Sequence, residues 1–299
     1  NLEKLINDLL LEKEQLMEEY SALNSSYYDL LADYNSLLEA LENQSGMAEE
    51  WRKKYVQLNS SYYELLEKHN SLLNNFNSMV KNFTAIKNVI NLRQGLNASL
   101  FITPFDPIVS SLVVDITGGW QTREWSEAWR DLRKMYDWVT ENIEYNHDAP
   151  YPRIFSLSQP PIFLNENWLF PNETINYKFG DCEDQAVLLT SLIRSYFLKA
   201  DSDIACYVIT IYSEKVRSGH AATLIPVEGE EITILDPAGH YYTGFPGELI
   251  SKPISEEIEN WLNYWSSSLP EAYINRAFSD YIDLSFSSTQ EFINWLISS

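Results

Sequence analysis

Apolar residues recur at a 3-4 spacing from the start of the chain to about residue 93. One heptad series runs Leu2, Leu9, Leu16, Leu23, Leu30 and Leu37, then resumes after Gln44 as Trp51, Leu58, Leu65, Leu72, Met79 and Ile86. The alternate series is rich in aromatics: Tyr20, Tyr27, Tyr34, Tyr55, Tyr62, Phe76 and Phe83, with His69 among them. No proline precedes Pro104. The pattern predicts a coiled coil with leucines at d and aromatics at a. The segment Leu23-Asn24-Ser25-Ser26-Tyr27-Tyr28-Asp29-Leu30-Leu31 returns 35 residues later as Leu58-Asn59-Ser60-Ser61-Tyr62-Tyr63-Glu64-Leu65-Leu66, an offset of five heptads. A further stripe of Leu10, Met17, Leu31, Leu38, Leu66 and Leu73 widens the apolar face, which suits three or more packed helices. Register passes unbroken through the polar stretch Asn43-Gln44-Ser45-Gly46. This favours a continuous rod about 135 Å long over a hairpin folding back at Gly46.

After the heptads the pattern changes. Residues 95–122 carry Gly95, Pro104, Pro107 and Gly118-Gly119 and form a transition, with one strand expected at 112–116. A helix is expected over 124–143 with Trp125, Trp129, Leu132, Tyr136 and Val139 on one face. Residues 144–177 look irregular. An apolar helix then begins near Cys182, followed by strands near 203–213, 219–227 and 231–236 and amphipathic helices over 255–265 and 288–297. The expected division is a stem over 1–94, a linker over 95–122 and a head over 123–299. Helices against a mostly antiparallel sheet make that head α+β.

Composition narrows the partners. Of 299 residues 45% are apolar, enough for a substantial core, and the formal charge is −22. Residues 1–95 hold 14 acids and 9 bases, so about three quarters of the negative charge lies on the head. Such a surface repels phosphate backbones and disfavours nucleic acid as a partner. No run approaches the ~20 apolar residues of a membrane span. Asn-x-Ser/Thr sequons at Asn24, Asn43, Asn59, Asn82, Asn97 and Asn172 are glycosylation candidates, and they point toward an extracellular or cell-surface location. The absence of an initiator Met at Asn1 suggests that a signal, an anchor or other sequence once preceded it.

The candidate chemistry lies in three short motifs. Gly180-Asp181-Cys182-Glu183-Asp184 opens the apolar helix, Gly219-His220-Ala221 opens a strand, and Leu235-Asp236-Pro237 ends the next. A lone cysteine on an apolar helix is ordinarily core, as Cys206 in its strand-like run is expected to be. Cys182 differs because unpaired N–H groups of a first helical turn favour a thiolate and can receive an oxyanion. Cys, His and Asp in that order suggest a nucleophile, its base and the group that orients the base. Asp181, Glu183 and Asp184 oppose the thiolate by their charge, unless imidazolium at His220 or a bound Ca2+ offsets them.

These three motifs together resemble the transglutaminase-like superfamily, as do Tyr136-Asp137-Trp138-Val139 and Trp168-Leu169-Phe170-Pro171-Asn172-Glu173-Thr174, which are similar to prokaryotic and especially archaeal members. The likeness covers roughly 120–299 and excludes the stem. It implies a papain/transglutaminase-like core and thiol chemistry on amides, with Cys182 as nucleophile, His220 as general base and Asp236 holding the imidazole. Oxyanion donors would be the Cys182 N–H, Asn176 or Trp168. Ala222 stands where a tryptophan often follows His-Ala, which puts the usual wall of the cleft in doubt. The Gly-Asp-Cys-Glu-Asp run is also similar to that of bacterial periplasmic calcium-dependent cysteine proteases. No cofactor is required on this basis, and Ca2+ at Asp181, Glu183 and Asp184 is compatible with it. The resulting expectation is a cell-surface thiol hydrolase of polypeptides, homo-oligomeric through its coiled coil. The alternatives are a non-enzymatic filament or docking protein and a cross-linking acyltransferase.

Overall fold

The heptad region forms two long helices, α1 (Leu2–Asn43) and α2 (Ala48–Leu92), in a computed structural model that describes residues 2–43 and 48–299. Aromatic a positions meet in pairs along them. Ring centroids lie 5.6 Å apart for Tyr20 and His69, 6.0 Å for Tyr27 and Tyr62, and 5.9 Å for Tyr34 and Tyr55. Each seven-residue step up α1 is a seven-residue step down α2, so the helices run antiparallel. This corrects the expected continuous rod. The unbroken register has a different origin: a five-heptad duplication places Tyr27 and Tyr62 at equivalent seam positions, so folding back brings equal rings together. Gly46, the expected fold-back point of the hairpin alternative, lies outside the described residues, as does the side chain of Asn43.

The chain divides into two compact units, Asn1–Asn91 with Pro152–Ile162, and Leu92–Tyr151 with Phe163–Ser299. In the first, Asn91 Nδ2 donates to the Ile154 carbonyl at 2.6 Å, and Ile154 N–H donates back to Asn91 Oδ1 at 2.8 Å.

The second unit begins with a 3-10 turn (Ala98–Phe101) and α3 (Pro107–Thr117). Helix α3 replaces the strand expected at 112–116. Its ends outweigh the β-branched run: Asp106 accepts from the N–H groups of Ile108 and Val109, Pro107 starts the first turn, and Gly118 closes it in the left-handed region at φ 77°. Helix α4 (Trp125–Asn142) follows as expected. Short strands β1 (Glu144–Tyr145), β2 (Tyr151–Arg153) and β3 (Ile162–Leu164), helix α5 (Pro171–Tyr177) and β4 (Phe179–Gly180) fill the stretch expected to be irregular. Strand β1 pairs in parallel with β4, just before α6 (Cys182–Lys199).

The remaining elements are β5 (Tyr207–Ser213), β6 (Ser218–Val227), β7 (Glu231–Asp236), β8 (Tyr241–Tyr242), β9 (Gly244–Phe245), β10 (Glu248–Leu249), β11 (Lys252–Pro253), α7 (Ile254–Trp265), β12 (Tyr273–Phe278), β13 (Asp283–Ser285) and α8 (Thr289–Ser298). The main sheet is antiparallel in the order β11-β7-β6-β5-β12-β13, with β8 beside β7. Alternation along its strands separates two cores. Leu188, Leu192 and Tyr196 of α6 pack with α3 and α4 and with Ile225 and Leu235 on one face. On the other, Ile258 and Trp261 of α7 and Phe292 of α8 pack with Ile209, Ala222, Leu224 and Ile234. Full burial of one such side chain contributes about 1.5–3 kcal/mol. The result is the α+β head, helices against an antiparallel sheet, and the long-helix stem expected. Among the described residues no helix is long and apolar enough to cross a membrane.

Candidate active site

Sequence parity on the sheet determines which catalytic-type groups share a face. His220 pairs with Ile211 across β5 and β6, and Asp236 follows Ile234 by two on β7, so both side chains stand on the α7 face. There His220 Nε2 lies 2.8 and 2.9 Å from the two oxygens of Asp236. Asp236 is wholly buried, and three further donors converge on it. Gly239 N–H donates to Oδ1 at 2.8 Å, and the indole N–H groups of Trp261 and Trp265 each donate to Oδ2 at 3.0 Å. Four donors on one buried carboxyl group fix its position and, through it, the orientation of the imidazole. With Nε2 donating to Asp236, Nδ1 is the ring nitrogen left with a lone pair for a base's work.

Trp265 also lies against the imidazole, with ring centroids 3.8 Å apart. Ala222 is buried on the α7 face, so a tryptophan at that position would sit in the core. Gly239 has a specific steric reason to be glycine: a Cβ would fall 2.5 Å from Asp236 Oδ2 and 2.6 Å from Trp265 Cζ2. Neither tryptophan was singled out from sequence. The only signal was their i, i+4 spacing on an amphipathic helix, which places both indoles on one side.

Cys182 approaches from the other face of the sheet. It opens α6, which is locked to β6 by Thr223 Oγ1 donating to the Ala186 carbonyl at 3.2 Å and by the 3.0 Å contact of Thr190 and Thr223. The partly buried thiol is oriented toward Glu183 Oε2 at 3.3 Å. Among the described residues no hydrogen bond joins it to His220, although Cys182 packs against Ala221, the next residue of β6. Burial pushes the thiol well up, as do the charges of Glu183 and Asp181, while the Ala221 N–H works in the opposite sense. Both cysteines are free thiols, and Cys206 is buried in the core.

Around the thiol the carboxylates are poorly matched. Asp181 occupies the N-cap but its side chain accepts no capping bond, and its Oδ1 is buried without a partner. Asp184 Oδ1 accepts from Leu169 N–H at 2.7 Å, yet its Oδ2 is also unpartnered. Burial first, then Asp181, through a hydrogen bond and its charge at Glu183 and through its charge at Asp184, raises both well above the ordinary carboxylate range. The same two causes push Asp148 up to about 6, against the Asn167 N–H. One ligand atom each from Asp181, Cys182 and Glu183 lies within 4.8 Å of the others.

The expected oxyanion donors fare differently. The indole N–H of Trp168 donates to Glu166, and the ring is buried, which removes it as a candidate. Asn176 lies exposed on α5. The N–H of Cys182 sits at the first turn of α6, ahead of the helix's own bonding pattern. Of the sequons in the head, Asn172 donates to Asp106 at 3.1 Å from its amide.

Residues 122–244, which include Cys182, His220 and Asp236, match the family model described as a transglutaminase-like domain. Among solved structures the chain is similar to LapG of Legionella pneumophila at 15% identity, over 66% of this chain and 97% of that one, with a TM-score of 0.32. The EGTA-treated form of LapG matches at 16% identity, 66% and 97% coverage and TM-score 0.31, and the calcium-bound form at 15%, 63% and 97%, and 0.30. Likenesses this slight decide nothing about chemistry. No curated protein matches the sequence significantly.

Proposed function

Because the head carries a transglutaminase-like domain, we propose that this protein is a thiol hydrolase of polypeptide amides in which Cys182, His220 and Asp236 act together. The observation that carries the reading is the His220–Asp236 pair, fixed by Trp261, Trp265 and Gly239 and leaving one imidazole nitrogen free beside the strand residue that Cys182 contacts. The chemistry requires the thiol to turn from Glu183 toward that nitrogen. His220 Nδ1 then takes the thiol proton, sulfur attacks the amide carbon, and the oxyanion is received by N–H groups of the first turn of α6. The imidazolium returns its proton to the departing amine. Water, activated by the same nitrogen, hydrolyses the thioester. If an amine replaces that water, the outcome is acyl transfer.

Ca2+ is compatible with the carboxylates beside the thiol. Asp181, Glu183 and Asp184 offer hard oxygen ligands, and one oxygen each of Asp181 and Asp184 is buried and unpartnered. When bound, a divalent cation supplies positive charge next to the sulfur and favours the thiolate. We place the protein outside the cytoplasm, as the sequons suggest, with its stem serving self-association.

The test is selective alkylation. Iodoacetamide at neutral pH should label Cys182 far faster than the core residue Cys206, His220→Ala should slow that labelling, and Ca2+ should speed it. Equal, sluggish labelling of both thiols under all three conditions would refute the hydrolase. The thiol's present bond to Glu183 favours one rival, a docking module without turnover. Cleavage of peptide substrates by wild type but not by Cys182→Ala would exclude it.

A further inference from the structure

The stem hairpin buries little of its own apolar face. Between residues 2 and 91 the fully buried apolar side chains among the described residues are Ile6, Met79, Phe83 and Ile90. The seam leucines are only half-covered, and in the flanking stripe Met17, Leu38 and Leu73 are 46%, 38% and 38% exposed. Two helices touch along one line and cover one narrow seam, whereas an apolar stripe three positions wide demands neighbours on a second side.

The aromatic ladder shows which side is used and which is left. Rings at a positions face each other across the hairpin. The same stepping sets Leu31 level with Leu58, Leu23 with Leu66 and Leu16 with Leu73, so the leucines of both helices lie side by side in one band. That band is also its own image. The duplicated segments 23–31 and 58–66 run antiparallel at the same level, with the Tyr27–Tyr62 contact at their centre. A second copy turned over onto such a band meets it leucine against leucine, the isologous arrangement. Its size is sufficient. From Leu10 to Leu38 it is about 42 Å long, and two helices side by side are about 20 Å wide. The product is about 800 Å2, the share one partner contributes to a standard stable interface.

We propose that a second copy of this chain docks on the leucine band of the hairpin, giving a four-helix bundle and a two-headed dimer. This deepens the self-association assigned to the stem and is independent of the chemistry at Cys182. The far face is not the interface: there Asp29 and Glu64 stand exposed and charged, while Tyr28 and Tyr63, three residues from Leu31 and Leu66, border the band.

Sedimentation equilibrium of the full chain tests it. The wild type should have twice the chain mass. The pair Leu31→Glu and Leu66→Glu should raise the dissociation constant by at least about a hundredfold, because carboxylates would be buried in the band. The pair Asp29→Lys and Glu64→Lys, on the far face, should leave the dimer intact. The melting of the head, followed by tryptophan fluorescence, should be unchanged in both. A wild type that is monomeric, or larger than a dimer, overturns the proposal. So does a dimer that the far-face pair weakens as much as the leucine pair. Alkylation of Cys182 is unaffected by either result, so failure here is distinguishable from failure of the hydrolase.

Discussion

Asp236 and Asp181 flank the same prospective reaction centre, and their surroundings are opposite. Asp236 receives a backbone N–H, two indole N–H groups and an imidazole. Asp181 keeps a buried oxygen with no partner and adds its charge to Glu183 and Asp184 nearby. The base side of the site is thus complete within the protein. The thiol side holds excess negative charge that only a proton, an imidazolium or a cation can balance. One half is organised in advance, while the other is poised to respond to the medium.

The sharpest way to break this contrast is Asp236→Ala. It leaves four donors without their acceptor in a buried setting and should cost about 3–5 kcal/mol of stability, measured by urea denaturation, besides abolishing turnover. Gly239→Ala should come next, at about 1–3 kcal/mol, because the new Cβ overlaps Asp236 and Trp265 and one of them must move. A fall in activity larger than the fall in stability would show that the pair's alignment, not merely its presence, matters.

The thiol side should behave in the reverse sense. The folded pKa of Asp148, about 6, lies above its unfolded value, so the folded state binds the extra proton. Its contribution to stability is therefore fully present below the unfolded pKa and is lost as pH rises through about 6. Melting temperature should decline between about pH 4 and 6, with Asp181, Glu166 and His147 as the other charged groups acting on Asp148. Asp148→Asn should flatten that decline and stabilise the protein at pH 7 by up to about 2 kcal/mol. The smallest effect is expected for Trp265→Phe. It keeps a ring against His220 but removes one donor of several, costing about 1 kcal/mol, with a shift in the pH profile of turnover as the more telling readout.

Much of this molecule was legible from residue order. The heptads, the amphipathic α4 and α7, the Cys182 helix and the strands bearing His220 and Asp236 follow from local period and caps, which act over a few residues. Helix α3 was misjudged because Val113, Val114 and Ile116 suggested a strand while the capping signals at Asp106, Pro107 and Gly118 were in plain view. The Trp261 and Trp265 donors had no legible role, since a run of amphipathic helix does not say which buried acid it will face.

What the sequence determined by itself was every choice governed by near neighbours: element type, the width of the stem's apolar stripe and the parity that places His220 and Asp236 on one face of the sheet. Tertiary structure alone decided the direction of α2 against α1, the donors that converge on Asp236 and the orientation of the thiol toward Glu183. Those depend on contacts between positions tens of residues apart, which form only when packing and burial bring them together, and a local pattern is compatible with more than one such arrangement.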